Sequence, residues 1–332
     1  MAENTENYRK QPVETPFEPG ADSTTEIGTK ASSGGADATE RASAHRAANQ
    51  MSRARWWSDI GWRHVVGVLA VIYSVFPILY IISAAINPAG TMTGSNALFS
   101  AFTLSNFTAL METSFWQWMG NTLFIGVVTS VGTVLMGAAA AYAFSRFRFS
   151  GRRVGLMSLL VIQMFPQLLA FVSIFLLLLT LGDAVPWLGL DSRIALICVY
   201  LGGALGVNTF LMYGFFNTIP ASLDEAAKID GASHAQIFWT IILRLVAPIL
   251  AVVGLLSFIS TFNDFILARV ILQSERNWTV AVGMYQWVSD RLDANWGLFA
   301  AGAMIAALPI LALFLFLQKY IVSGLTAGSV KG

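Results

Sequence analysis

The sequence predicts an all-α, polytopic membrane protein with six transmembrane helices, and three observations carry that expectation. Apolar residues make up 55% of the 332-residue chain and charged residues only 12%, where a soluble domain carries about a quarter charged. The apolar residues gather in six runs, each near the roughly 20 residues a helix needs to cross hydrocarbon. Between the fourth and fifth runs lies a polar stretch, 219–248, already written with helix-start and turn signals. Backbone amides in lipid have no water to bond, so each run is expected as a helix.

In chain order, residues 1–55 are rich in Ala, Glu, Thr, Ser and Gly and poor in large apolar side chains. Such a segment buries too little surface to offset its ordering entropy, and a disordered tail is expected. It lacks the cationic start, apolar core and small-residue cleavage site of a signal peptide. The runs then fall at about 64–86, 118–144, 155–181, 194–213, 248–271 and 297–320. This divides the chain into a first span with its outer loop (60–116), a core (117–320) and a C-terminal tail (321–332).

Orientation follows from Lys and Arg beside the spans. With the N-terminus inside, eleven basic residues flank the inner ends, among them Arg53, Arg63, Arg146, Arg148, Arg152 and Lys319. Only Arg193, Arg269, Arg276 and Arg291 flank the outer ends. The bias predicts a multi-pass protein of the cell membrane with both termini cytoplasmic. The arginines of the turn RFRFSGRR, 146–153, are read as topology anchors rather than a nucleic-acid site, and Trp116 and Trp118 as an interfacial aromatic belt.

Within the spans, Gln163, Pro166 and Gln167 sit together mid-run, where proline permits a kink and the amides suit either water or a neighbouring helix. Gly202 and Gly206 have small-xxx-small spacing for close helix contact, and Asn208 follows. Asn263 and Asp264 interrupt the fifth run, and an acid there must face a partner or water. Gln163, Asn208, Asn263 and Asp264 are therefore candidates for a polar pathway, with helix packing as the competing role. Cys198, the single cysteine, lies in an apolar run and is expected as a small buried hydrophobe.

The polar stretch reads as two short helices. Ser222 with Glu225 and Ser233 with Gln236 each have capping-box spacing, the first helix opening just after Pro220. Asp230-Gly231 supplies the turn between them. Phe238, Ile241, Ile242 and Leu245 recur at helical spacing and give the second helix one apolar face. A bent, capped pair projecting from a membrane suits the groove of a soluble partner.

Glu225-Ala226-Ala227, Asp230-Gly231-Ala232, and then Phe238 and Ile242-Leu243 resemble the coupling segment of ABC importer permeases. The resemblance implies the transmembrane fold of a type I importer, with this segment docking into a cleft of a cytoplasmic ATPase subunit. The family's usual proline after the leucine is replaced here by Arg244, so the second helix is expected to run on toward Pro248. Asn121-Thr122 is similar to the family's usual opening of this core. Asn263-Asp264-Phe265 resembles an element of sugar permeases. The aromatic outer loop 272–296 resembles that of the maltose-type permease, which implies that Tyr285, Trp287 and Asp290 face a binding protein. The glycine-rich end, read as extended, is similar to the same subunit's tail and implies that Gly324, Leu325, Thr326, Ala327 and Gly328 contact the ATPase pair.

The resemblance covers about 60–332. It implies half of the translocation pathway of an ATP-driven, binding-protein-dependent sugar importer, with maltose or maltodextrin as the first cargo. Trehalose, another carbohydrate and glycerol phosphate stay open. The implied partners are a second homologous permease forming a heterodimer, two ATP-binding subunits, an extracytoplasmic sugar-binding protein and the bilayer. No catalytic residue, cofactor or metal is expected, because the sequence holds no phosphate loop, ligand cluster or nucleophile–base arrangement. An ion-coupled secondary transporter competes less well, since Asp264 is the lone acid within the apolar runs.

Overall fold

The computed structural model describes residues 57–88, 98–289 and 295–327. The expected disordered tail, Asp290 and Gly328 lie outside the described residues. The chain divides into two units, Met1–Val71 and Ile72–Gly332. The described part of the first holds a π-helical turn, Trp57–Gly61, and the start of helix α1 (Trp62–Ala85).

In the second unit the order is α2 (Ser105–Met111), α3 (Phe115–Arg146), α4 (Arg152–Gln163), α5 (Gln167–Ala184) and α6 (Arg193–Phe216). A short α7 (Ala221–Ile229) and α8 (His234–Leu245) follow, then α9 (Ala247–Asn263), α10 (Ile266–Ile271), α11 (Val280–Ser289) and α12 (Trp296–Ala327). No strand occurs among the described residues. By length and composition α1, α3, α6 and α12 are apolar enough to cross a membrane, and α8 with α9 qualifies as one bent pair.

The third apolar run is not one kinked helix. It breaks into α4 and α5 at Met164–Pro166, because Pro166 lacks an amide and its ring would strike the Ile162 carbonyl. The fifth run likewise breaks at Asp264, between α9 and α10. The last helix continues through Ala327, so the backbone at Gly324–Ala327 is helical, where the sequence was read as an extended tail. One glycine is a weak helix breaker when the apolar run before it is long.

Helix α3 lies against α6 and α9. Its inward stripe mixes small and polar residues, and two of the polar ones find partners across the contact, while Thr129 Oγ1 is buried without one among the described residues. Ser130 Oγ donates to the Gly254 carbonyl at 2.6 Å, and Ser257 Oγ to Thr133 Oγ1 at 3.2 Å. Two apolar cores form around its two ends. One gathers Phe115, Trp118, Leu196, Phe258, Ile271 and Met284. The other gathers Tyr142, Met212, Phe216, Ile237, Ile242 and Val246.

Three expectations change here. Trp118 is buried, its indole N–H donating to the Glu275 carbonyl at 3.1 Å, so only the exposed Trp116 suits an interfacial belt. Cys198 is exposed, because α6 turns its neighbours Ala195, Leu196 and Ile197 inward instead. Of the glycine pair, Gly202 faces open space, and Gly206 alone makes the close contact. A Cβ at Gly206 would lie 2.5 Å from Gln163 of α4, whose amide donates to the Gly203 carbonyl at 2.7 Å.

Gly206→Ala is therefore expected to push Gln163 off that carbonyl and cost about 1 kcal/mol, the scale of one such bond. Gly202→Ala should be neutral or slightly stabilising. Thermal unfolding of the two variants in the same detergent checks the contrast.

Candidate functional site: the elbow and its supports

The elbow begins after Pro220, as expected, but Ser222 does not cap it. Pro220 occupies the cap position without a side-chain bond, and Ser222 lies inside the first turn of α7. The second box is formed: Ser233 Oγ accepts from the Gln236 amide at 3.3 Å, and the Gln236 side chain accepts from the Ser233 amide at 2.8 Å. Between the arms Gly231 takes φ +82°, a left-handed turn that glycine enters without a Cβ clash.

With no proline at 244, the second arm runs unbroken through Arg244 toward Pro248, as expected. It stops at Val246, and the chain bends by 80° into α9. Pro248 explains the stop: its ring excludes the carbonyl of Arg244 from a continuing helix, yet it fits the first turn of a new one. A proline at 244 is thus not needed for the break. Within α8, Ile237–Ile242 is wound as a π-helix, and its apolar face packs inward through Ile237, Phe238 and Ile242.

Burial sorts the coupling candidates into two groups. Glu225, Ala226, Asp230 and Gly231 are exposed, while Ala227 and Phe238 are buried and Ala232 is half-buried. Phe238 lies 5.1 Å from Tyr142 of α3, ring centre to ring centre. The sequence reading passed over Ile229, which stands 87% exposed at the tip, with Leu223 also exposed nearby. Its signal was a large aliphatic between Lys228 and Asp230, at the end of a largely polar helix.

Also passed over was Asp224, beside the conspicuous Glu225. Its carboxylate is buried against Arg146, with Nε to Oδ2 at 2.6 Å and side-chain exposures of 7% and 10%. Arg146 is thus engaged inside the protein rather than left in solvent. Its guanidinium also donates to the Ile219 carbonyl at 3.0 Å. Breaking a buried pair by removing one partner costs about 3–5 kcal/mol. His234, exposed at the start of α8, meets Phe147 edge-on at 5.0 Å.

At the other end of α3 a polar lattice fastens the segment 272–280. Asn121 donates to the carbonyls of Arg276 and Trp278 at 2.8 and 2.9 Å and accepts from Arg193 at 2.8 Å. Thr122 Oγ1 accepts from the Val280 amide at 2.8 Å. Asp191, held at φ +61°, accepts from the amides of Gln273 and Ser274, the Ser274 hydroxyl and the Asn277 side chain. Burial acts to raise its carboxyl, but these donors outweigh it and hold the group below the usual carboxylate range.

Of the remaining candidates, Asp264, Asn208 and Trp287 take structural partners among the described residues and Asn263 does not. Asp264 accepts from Tyr200 at 2.7 Å and from the Ala268 amide at 3.0 Å, capping α10. Arg269 instead covers the Trp278 ring at 5.3 Å. Asn208 donates to the Ala204 carbonyl of its own helix, and Asn263 is exposed. Among the described residues of the loop 272–296, Glu275–Asn277 and Val280–Ser289 are helical. Tyr285 is exposed, its ring 4.8 Å from Phe265, but Trp287 packs against Phe115 and Trp118 and is not a free tip.

Spans packed through small residues, two of them broken, with a capped elbow fixed at one end, define the class: a membrane-spanning subunit of a transport system. The chain belongs to the family described as binding-protein-dependent transport system inner membrane component, which it matches over residues 133–326. It is 40% identical to the maltodextrin transport system permease protein MdxG of Bacillus subtilis, over 80% of this chain and 93% of that one. It is 38% identical to the galactooligosaccharides transport system permease protein GanQ of Bacillus subtilis, over 81% and 94%. Against the maltose/maltodextrin transport system permease protein MalG of Escherichia coli K12 the identity is 40%, over 65% and 72%. The fold matches a chain in the crystal structure of a bacterial alginate ABC transporter at TM-score 0.56 and 18% identity, covering 80% of this chain and 96% of that one.

The lowered acidity of Asp191 makes a pH prediction. A carboxylate depressed in the folded state stabilises it above the unfolded value of about 3.9, and that contribution is lost as pH falls through the native value. The difference in Tm between the parent and Asp191→Asn should thus be full near pH 6 and shrink below about pH 3.9, read by thermal unfolding across that range.

Proposed function

We propose that the chain forms half of the translocation pathway of an ATP-driven, binding-protein-dependent importer of oligosaccharides, with maltodextrin as the first cargo. The elbow carries this reading. One of its faces is fixed to the bundle through Asp224, Ala227 and Phe238, while the other presents Glu225, Ala226 and Ile229 outward. A knob rigid on one side and apolar at its exposed tip fits the cleft of a partner that must hold and move it. ATP hydrolysis then belongs to separate subunits, and the elbow transmits their closure. The work is available only if the membrane conformations favour different ATPase states.

In this reading the elbow, the N-terminal tail and the chain end beyond α12 face the cytoplasm, following the basic residues beside the spans. Gly324–Ala327, and Gly328 after them, lie toward the ATPase pair. The opposite end, with Tyr285 exposed on α11, faces the sugar-binding protein. A homologous second permease completes the pathway. The sugar assignment draws on relatives named for maltodextrin, maltose and galactooligosaccharide transport. An ion-coupled mechanism is disfavoured because Asp264 is engaged by Tyr200 and caps a helix.

Gly231→Pro should insert in the membrane at normal level yet lose maltodextrin uptake and co-purification of an ATPase, because proline cannot adopt φ +82°. Normal uptake in that variant would sink the docking role. Ile229→Asp should weaken retention of the ATPase by at least about 2 kcal/mol, the scale of an interface hot spot, measured by titrating ATPase onto the purified permease.

A further inference from the structure

We propose that Arg146 and Asp224 form the pin through which movement of the elbow enters α3, and that α3 carries it as a strut to the segment 275–280. The proposal rests on the elbow's role as the ATPase dock. Arg146 is the last residue of α3, and Asp224 sits in the first turn of α7. Each charge therefore lies at the helix end whose dipole favours it. Their contact is 2.6 Å and almost wholly buried. Both Asp224 oxygens and Arg146 Nε are buried with no aligned hydrogen bond among the described residues, so the pair is held by charge. Because Arg146 also holds the Ile219 carbonyl, one guanidinium grips both the entry to the elbow and its first arm. A buried charge resists being left alone, so a push on α7 displaces the pair together.

The second arm reaches the same strut through Phe238 on Tyr142, one turn before Arg146. From there α3 runs 32 residues, about 48 Å at 1.5 Å per residue. Its middle is fastened to α9 by Ser130 and Thr133. At its far end Asn121 and Thr122 bind the backbone of Arg276, Trp278 and Val280 directly. The exposed face of α7 takes no part in the pin, so docking and transmission fall on different residues. Asp224 and Arg146 are positioning residues in this scheme and touch no cargo.

Contiguity alone does not demonstrate coupling, and the test separates the two. The complex of permeases and ATPase subunits is reconstituted in lipid discs, with an environment-sensitive dye on Ser289→Cys in a Cys198→Ser background. ATP should change the dye's emission in the parent. Asp224→Asn should keep the ATPase bound and hydrolysing while cutting the dye response roughly tenfold, within the range of allosteric couplings. Asp224→Glu, which keeps the charge, should recover most of the response. A full response in Asp224→Asn overturns the pin. So does loss of the ATPase from both variants, which would mark the pair as structural only. Failure of the parent itself to retain an ATPase would overturn the docking role, and the pin with it.

Discussion

Hydrocarbon offers a polar group no water, and that constraint shapes this chain wherever its helices break or bend. At Asp264 the interrupted backbone is capped by the acid itself, whose other partner is Tyr200 on α6. Near Pro166 the amide of Gln163 crosses to the Gly203 carbonyl. At the foot of α3 a buried arginine and a buried aspartate meet. At Asp264 and Gln163 a feature that looks like a functional group in the sequence is first a means of satisfying a polar group.

Little of the elbow, the segment proposed to dock, stands free of the bundle. Its second arm is sunk through Ile237, Phe238 and Ile242, and Asp224 and Ala227 hold the first arm down. What stands clear is a strip around Glu225, Ala226 and Ile229 beside a turn with a left-handed glycine. The buried face gives the elbow stiffness, and the exposed one is what the proposed docking would use. An element with that division can be moved as a body without losing its shape.

The two ends of α3 differ in chemistry. One is fixed by a charge pair and aromatic rings, the other by amide, hydroxyl and carbonyl groups around Asn121 and Asp191. The second lattice turns 272–280 into a fixed ledge and leaves Tyr285 exposed on the helix that follows, while Trp287 is spent on packing. Aromatic richness in that loop was visible in the sequence. Which ring faces out depends on the close approach of Trp118 to α11, which no local pattern records.

Composition and run length alone determined that this is a helical membrane protein, because burial in lipid demands long apolar helices whatever their arrangement. Local rules likewise determined the Ser233 box and the Gly231 turn, since both depend only on neighbours within four residues. Tertiary structure decided the rest. Asp224 and Arg146 stand 78 positions apart, and nothing in either neighbourhood announces the other. The third apolar run is likewise two helices, α4 and α5, rather than one. Contacts distant in sequence have no periodicity to betray them, so which polar side chains serve the fold and which remain for a partner emerges only once the spans are packed.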